Sequence, residues 1–217
     1  MICCLTDRRW ASEHHLPNAL PNASRVDILT TKRPSPPMIA EFDLPDTMRM
    51  RPLRNSTVGE AEFRQAMATL ASSVHVVTAR RGDEMVGRTV TSVMSLSAQP
   101  PSILISIDIV SRLADVIAKT GGFSLALLRD DQSDIADAFA GKLAPERRFD
   151  VGRWTRWHSG HPKLLGAAMT VDCEVIGSME TGTHVLFAGA LIEAETNTKA
   201  TPLLWHNRNY ALPKNSG

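Results

Sequence analysis

Cysteine is scarce: the 217 residues hold three, Cys3, Cys4 and Cys173. The adjacent first two cannot readily be bridged to each other within disulfide geometry, so free thiols in a reducing compartment are expected. An excess of charge of one sign is also missing. Lys and Arg number 24 against 23 Asp and Glu, which leaves no broad basic field for a phosphate backbone and argues against nucleic acid as a partner. No apolar run approaches the roughly 20 residues needed to span a bilayer. Arg8, Arg9, Glu13, His14 and His15 interrupt the N-terminus before it reaches the length of a signal-peptide core. The expectation is a soluble, cytoplasmic protein with no membrane partner. Absent too are the GxxxxGK(S/T) phosphate loop, a GxGxxG after a strand, the GxSxG elbow and HExxH, which argues against a Rossmann-type nicotinamide site.

With 43% hydrophobic and 22% charged residues, what remains suits one globular domain of ordinary size. Residues 1–57 differ from the rest: prolines stand at 17, 21, 34, 36, 37, 45 and 52, and neither a period of 2 nor of 3.6 is sustained. This stretch reads as a proline-rich arm, either a flexible tail, an upstream start, or a strap around a partner subunit. The folded domain is expected over residues 58–217.

From Val58, the residues Ala61, Phe63, Ala66, Met67 and Leu70 recur at helical spacing. Residues 73–78 read as a strand, followed by a charged hairpin turn at 80–84. Residues 87–97 alternate as a strand with hydroxyls crowded on one face. Pro100 and Pro101 close it, and 102–107 predicts a buried strand. Ser111 stands where an N-cap belongs, before Leu113, Val116 and Ile117, with Gly121 and Gly122 as the stop. Residues 123–128 predict a strand, 131–139 a helix ended by Gly141, then a loop bearing Trp154 and Trp157. Two long strands follow at 168–176 and 184–195, joined by a turn at 178–182. The sum is about six strands and three helices, a mainly β protein with helices whose antiparallel sheet is expected to close as a barrel.

For chemistry, His158 and His161 could be joined by Cys173 or His184, but no third ligand sits at fixed spacing, so no metal is assigned and polar loop histidines are the stronger reading. Cys173, between Asp172 and Glu174 in a strand, reads as a small core residue rather than a nucleophile. The strand-to-helix junction at Ser111 and Arg112 offers a helix N-terminus suited to a ligand phosphate. Thr89, Thr91, Ser92 and Ser95 offer hydroxyls for the polar edge of a flat ring in an apolar slot, or else a solvated strand face.

Ordered motifs then narrow the reading. FRQAMATLASSVHVVTA at 63–79, GRTVTSVMSLSAQPPSILISID at 87–108, Ser111, Arg148 with Phe149, the HxxFxG set His184, Phe187 and Gly189, and the closing Pro202, Leu203, Leu204 and Tyr210 follow one another along two thirds of the chain. Together they resemble the flavin reductase-like, FMN-binding split barrels, a family that includes the small reductase components of two-component flavin monooxygenases. The resemblance implies a six-stranded antiparallel split β-barrel and a homodimer with flavin at or near the subunit interface. It further implies a flavin reductase using NADH or NADPH to reduce FMN or FAD, with a possible flavin-dependent monooxygenase partner. By motif position, Arg88, Thr89, Val90, Thr91, Ser92 and Ser95 would border the isoalloxazine and ribityl chain. Asp108, Ser111, Arg112 and Leu113 would hold the phosphate, Arg148 belongs to the basic–Phe element, and His184 would stand near the nicotinamide in an auxiliary role. Ala126 stands where the family often carries Asn, a departure that bears on one flavin contact. Hydride transfer between two cofactors requires no catalytic acid or nucleophile. The alternative from another class is a flavin- or haem-binding split-barrel protein without reductase turnover.

Overall fold

The computed structural model describes residues 54–214; most of the expected arm, residues 1–53, lies outside them. The first element, helix α1 (Glu60–Ala68), forms where the apolar spacing predicts, but none of its residues is buried. Phe63 and Met67, with Leu70 just past the helix end, are 45–55% exposed, so its apolar stripe has no cover among the described residues.

A two-residue strand β1 (Ser72–Ser73) precedes the hairpin of β2 (His75–Arg81) and β3 (Glu84–Val90), turned at Gly82 with φ +60°. The chain continues through β4 (Val93–Ala98) and β5 (Pro101–Asp108) to helix α2 (Arg112–Thr120) and β6 (Gly122–Leu127). Ser111 caps α2 as expected: its hydroxyl accepts from the Ala114 N–H at 3.2 Å. Gly121, at φ +71°, ends the helix in the left-handed conformation that glycine adopts without steric cost.

Helix α3 (Ser133–Asp137) is shorter than expected because it widens into a π-helical turn at Ala138–Lys142, broken at Gly141. A 3-10 helix, Pro145–Asp150, follows. The supposed tryptophan loop contains a small hairpin, β7 (Trp154–Arg156) and β8 (Pro162–Leu164). The long pair is β9 (Met169–Glu180) and β10 (His184–Thr196), joined at 181–183, slightly later than expected because β9 keeps pairing through Glu180. Strands β11 (Leu204–His206) and β12 (Asn209–Ala211) pair with β1 in a three-stranded sheet that hydropathy alone did not predict.

The main sheet has seven strands in the order β3-β2-β6-β9-β10-β5-β4, all pairings antiparallel. The count therefore differs from the six expected. The single strand expected over 87–97 is also a correction: Thr91 and Ser92 interrupt it, and β3 and β4 lie at opposite ends of the sheet. This break shapes the fold. Seven strands laid flat would hold their edges roughly 29 Å apart at about 4.8 Å per strand, whereas two intervening residues span about 10 Å. The sheet must curl until its edges converge at Thr91–Ser92, although no ladder joins β3 to β4 and the sheet stays open there.

Alternation along β2 explains the two cores. Val77 and Ala79 enter one cluster with Ile105, Leu113, Ile117, Phe123, Val171 and Phe187. Val74 and Val76 enter the other with Leu128, Ile135, Phe139, Leu164 and Leu203. No helix among the described residues is long and apolar enough to cross a membrane.

Candidate functional site

The interruption at Thr91–Ser92 puts consecutive residues against three hollows. The largest, about 770 Å³, is lined by Arg88, Thr89, Val90 and Thr91 on one side and by Asp137, Lys142, Trp205, Arg208 and Tyr210 on the other. A second of about 410 Å³ lies beyond Arg88, between Arg112, Leu113, Glu146 and Arg148. A shallow apolar third, about 370 Å³, runs from Thr91 and Ser92 over Met94, Leu104 and Leu186.

The large cavity has an aromatic wall. Trp205 and Tyr210 meet edge to face with ring centroids 5.2 Å apart, and the Tyr210 hydroxyl donates to Asp137 Oδ1 at 2.8 Å. Lys142 Nζ donates to the other Asp137 oxygen at 2.7 Å, and this ammonium holds the Asp137 carboxyl below its ordinary range. Burial, aided by the Asp137 carboxylate, pushes the Tyr210 phenol up, so it stays a neutral donor at any working pH. Behind the wall, Phe139, Phe149 and Trp154 pack with centroids 5.0–5.4 Å apart. Thr89 is fixed from below by donating to the Ala136 carbonyl at 2.7 Å.

Arg88 faces both larger cavities and has no carboxylate partner among the described residues. Arg148 donates through Nη1 to the Gly87 carbonyl at 3.1 Å; burial, and then the positive charge of Arg88, lower its pKa. Two neighbouring guanidiniums, offset only in part by the Glu146 carboxylate near Arg148, make a locally positive rim suited to an anion. Gly87 itself is required there, since a Cβ would lie 2.7 Å from the Phe139 ring.

Other expected residues sit elsewhere. Arg112 reaches the smaller cavity, but Glu84 grips it at 2.5 and 2.7 Å and Asp115 pairs with its remaining nitrogen, so its charge is already answered. Leu113 is 2% exposed and belongs to the first core; Ala126, 3% exposed, belongs to the second, between Val76 and Thr170. Ser111 serves as the helix cap and donates to the Asp108 carbonyl at 2.7 Å. Asp108 and His184 are exposed and face each other across β5 and β10, and Asp108 Oδ1 accepts from Val110 N–H at 3.1 Å. Ser95 lies exposed on β4. None of Ala126, Ser95, Asp108, Ser111 or His184 lines these three hollows. Cys173 is a free, buried thiol, pushed up to about 12 by burial, as its reading as a core residue requires.

Sequence reasoning did not find Asp137, Lys142, Trp205 and Arg208. The last two lie inside the closing stretch that ends at Tyr210, so the motif marked the place without assigning the work. The first two sit on a helix whose π-helical turn no periodicity announces.

Comparison with known proteins bears on this arrangement. Residues 67–212 match the flavin reductase like domain. Over 71% of this chain and 88% of the relative, the sequence is 34% identical to the reductase component of an FADH(2)-dependent resorcinol hydroxylase of Rhizobium sp. (strain MTP-10005). It is 32% identical, over 72% of this chain and 79% of the relative, to an FMN reductase (NADH) of Methylorubrum extorquens. Among solved structures, the NADH:FAD oxidoreductase of Streptomyces globisporus in complex with NAD and FAD fragments superimposes with a TM-score of 0.67 at 25% identity, covering 72% of this chain and 93% of that one. With most of its described residues matched in order and in fold, the chain belongs to the flavin reductase-like family.

Proposed function

We propose that the protein is an NADH-dependent flavin reductase that passes hydride from the reduced nicotinamide to FMN or FAD. The observation that carries this reading is the large cavity built on the Arg88–Thr91 end of β3, inside the matched domain. It has the volume of an ordinary cofactor site, an aromatic wall for a flat ring, and at its edge Arg88, shared with the smaller hollow that Arg148 lines, for a phosphate. The flavin and nicotinamide supply the chemistry themselves, and the protein supplies position and a shielded setting.

Within that reading the sequence-derived sites divide. Arg88, Thr89, Val90, Thr91 and Ser92 border the ring and ribityl chain, and Arg88 with Arg148 answers the phosphate. Asp108 and Ser111 shape the β5–α2 junction, Arg112 ties α2 to β3, and Leu113 and Ala126 pack the walls from inside. His184 keeps its auxiliary place near the nicotinamide, at the exposed start of β10, with its Nδ1 2.9 Å from the Thr183 hydroxyl.

The curled sheet with its seam open at Thr91–Ser92 supports the split-barrel description. The exposed apolar residues Phe63 and Met67 on α1, Leu70 just beyond it, and Met94 and Leu96 on β4 support a homodimer, with residues 1–57 as an arm outside the 58–217 domain. A flavin-dependent monooxygenase as consumer of the reduced flavin is supported by relatives named as reductase components, and the free buried thiol supports a cytoplasmic setting. The test is NADH oxidation by the purified chain with and without added FMN or FAD. Flavin-dependent turnover supports the reductase; bound flavin with no turnover from NADH or NADPH supports the cofactor-binding alternative.

A further inference from the structure

A hollow of about 300 Å³ opens where the α2–β6 turn, the 158–161 segment of the β7–β8 hairpin and the middle of β9 and β10 meet. Its polar lining is His158, Ser159, His161, Asp172, Glu174 and Glu193, and it shares no residue with the three cavities above.

Asp172 is the anomaly. Strand alternation sends Val171 and Cys173 into the core and turns Asp172 to the opposite face, where it is 3% exposed. Its Oδ1 has no hydrogen-bond partner. A buried carboxylate oxygen without a donor is costly: burial raises the Asp172 pKa, the Ser159 hydroxyl, the His161 ring and the Cys173 backbone offset this only in part, and the Glu193 carboxylate adds to the rise. Glu193 stands opposite Asp172 in the β9–β10 register, next to a bulge at Leu191–Glu193 that admits Ile192 as the extra residue. His161, 7% exposed, accepts the Arg80 N–H on Nδ1 at 3.2 Å, which leaves the ring proton on Nε2, and burial lowers its pKa so that the ring is neutral. That ring reaches the hollow only because residue 122 is glycine; a Cβ there would lie 2.7 Å from Nε2.

Three carboxylates therefore face a space with no Lys or Arg in its lining. A water could satisfy the geometry of Oδ1 but would bring no positive charge to the three carboxyl groups. Among the described residues, no group of three or more His, Cys, Asp or Glu is disposed to hold a metal ion. An ammonium group brings one positive charge and three donors, and Ile192 in the lining offers an apolar surface for a short alkyl stem. We propose that this hollow is a ligand site, separate from the flavin cavity, that takes a small primary ammonium ion on Asp172 with Glu174 and Glu193 at its rim.

The test titrates ethylammonium chloride into the full-length chain and follows thermal unfolding against sodium chloride of equal ionic strength. Tetramethylammonium, which has no N–H, and magnesium and zinc chlorides serve as controls. The expected result is a saturable rise in Tm with ethylammonium alone, requiring about tenfold more ligand in Asp172→Asn. Glu193→Gln, at an exposed position, should weaken binding severalfold and keeps the test usable if the buried substitution impairs folding. No saturable rise, an equal rise in the wild type and both variants, an equal rise with tetramethylammonium, or a rise with the metals alone would each overturn the ammonium site.

Discussion

His75 offers a sharp test of the packing around the first strands. It is 4% exposed in β2, between Val90 and Leu127 in the ladders, and its Nδ1 has no hydrogen-bond partner. Burial lowers its pKa from 6.5 to about 4, against a smaller opposing effect from the Ser73 backbone. The folded protein thus resists protonation while the unfolded chain accepts a proton near the ordinary value. Its contribution to stability is complete above the unfolded pKa, is lost as pH falls from 6.5 towards about 4, and changes no further below that. The loss approaches about 1.4 kcal/mol per pH unit inside the window and sums to about 2.5 kcal/mol between about pH 7.5 and about pH 4.5. Urea unfolding of the wild type and His75→Leu across that range isolates the effect, since His161 and the carboxylates remain in both. The wild-type curve should fall more steeply than the variant's by this amount, whatever constant offset the substitution adds. Parallel curves would refute the desolvated, neutral His75.

Three further outcomes follow from the same geometry. Gly189→Ala would place a Cβ 2.5 Å from the Phe123 ring and 3.0 Å from the Cys173 Cβ, so unfolding should show a loss of about 2 kcal/mol or more; a change within about 0.5 kcal/mol would contradict that packing. Arg88→Gln should weaken FMN by about tenfold or more in flavin fluorescence titrations while sparing riboflavin, whereas Arg112→Gln, whose charge Glu84 and Asp115 already hold, should change FMN affinity by less than about threefold. Equal effects of the two would remove Arg88 from the phosphate. His184→Ala should raise the KM for NADH more than it weakens flavin, and an unchanged KM would detach His184 from the nicotinamide.

The legible parts of the fold were those governed by local rules. Ser111 as cap, Gly121 as stop and the alternation of Val171, Asp172 and Cys173 could be read residue by residue because each obeys a constraint within a few positions. The break at Thr91–Ser92 could not be read so, because β-branched and hydroxyl residues continue through it and only the distant pairing of β3 and β4 forces the interruption. The same limit applies to the site. The motif pointed to the Arg88–Ser92 stretch, of which Arg88 to Thr91 line the large cavity, but the opposite wall of Asp137, Lys142, Trp205 and Tyr210 is assembled from segments far apart in sequence. Arg112 shows the converse: a basic residue at a helix N-terminus suits a phosphate, but no local rule announces that Glu84, 28 residues earlier, pairs with it. Gly189 in the HxxFxG set shows what a motif glycine can mean physically, namely room for Phe123.

Flavin reduction by this chain is read by following absorbance at about 340 nm, where reduced nicotinamide absorbs, with the purified chain, NADH and FMN or FAD in air. NADH loss should depend on both protein and flavin and fall in Arg88→Gln. No protein-dependent loss with either flavin and either reduced nicotinamide nucleotide would contradict it.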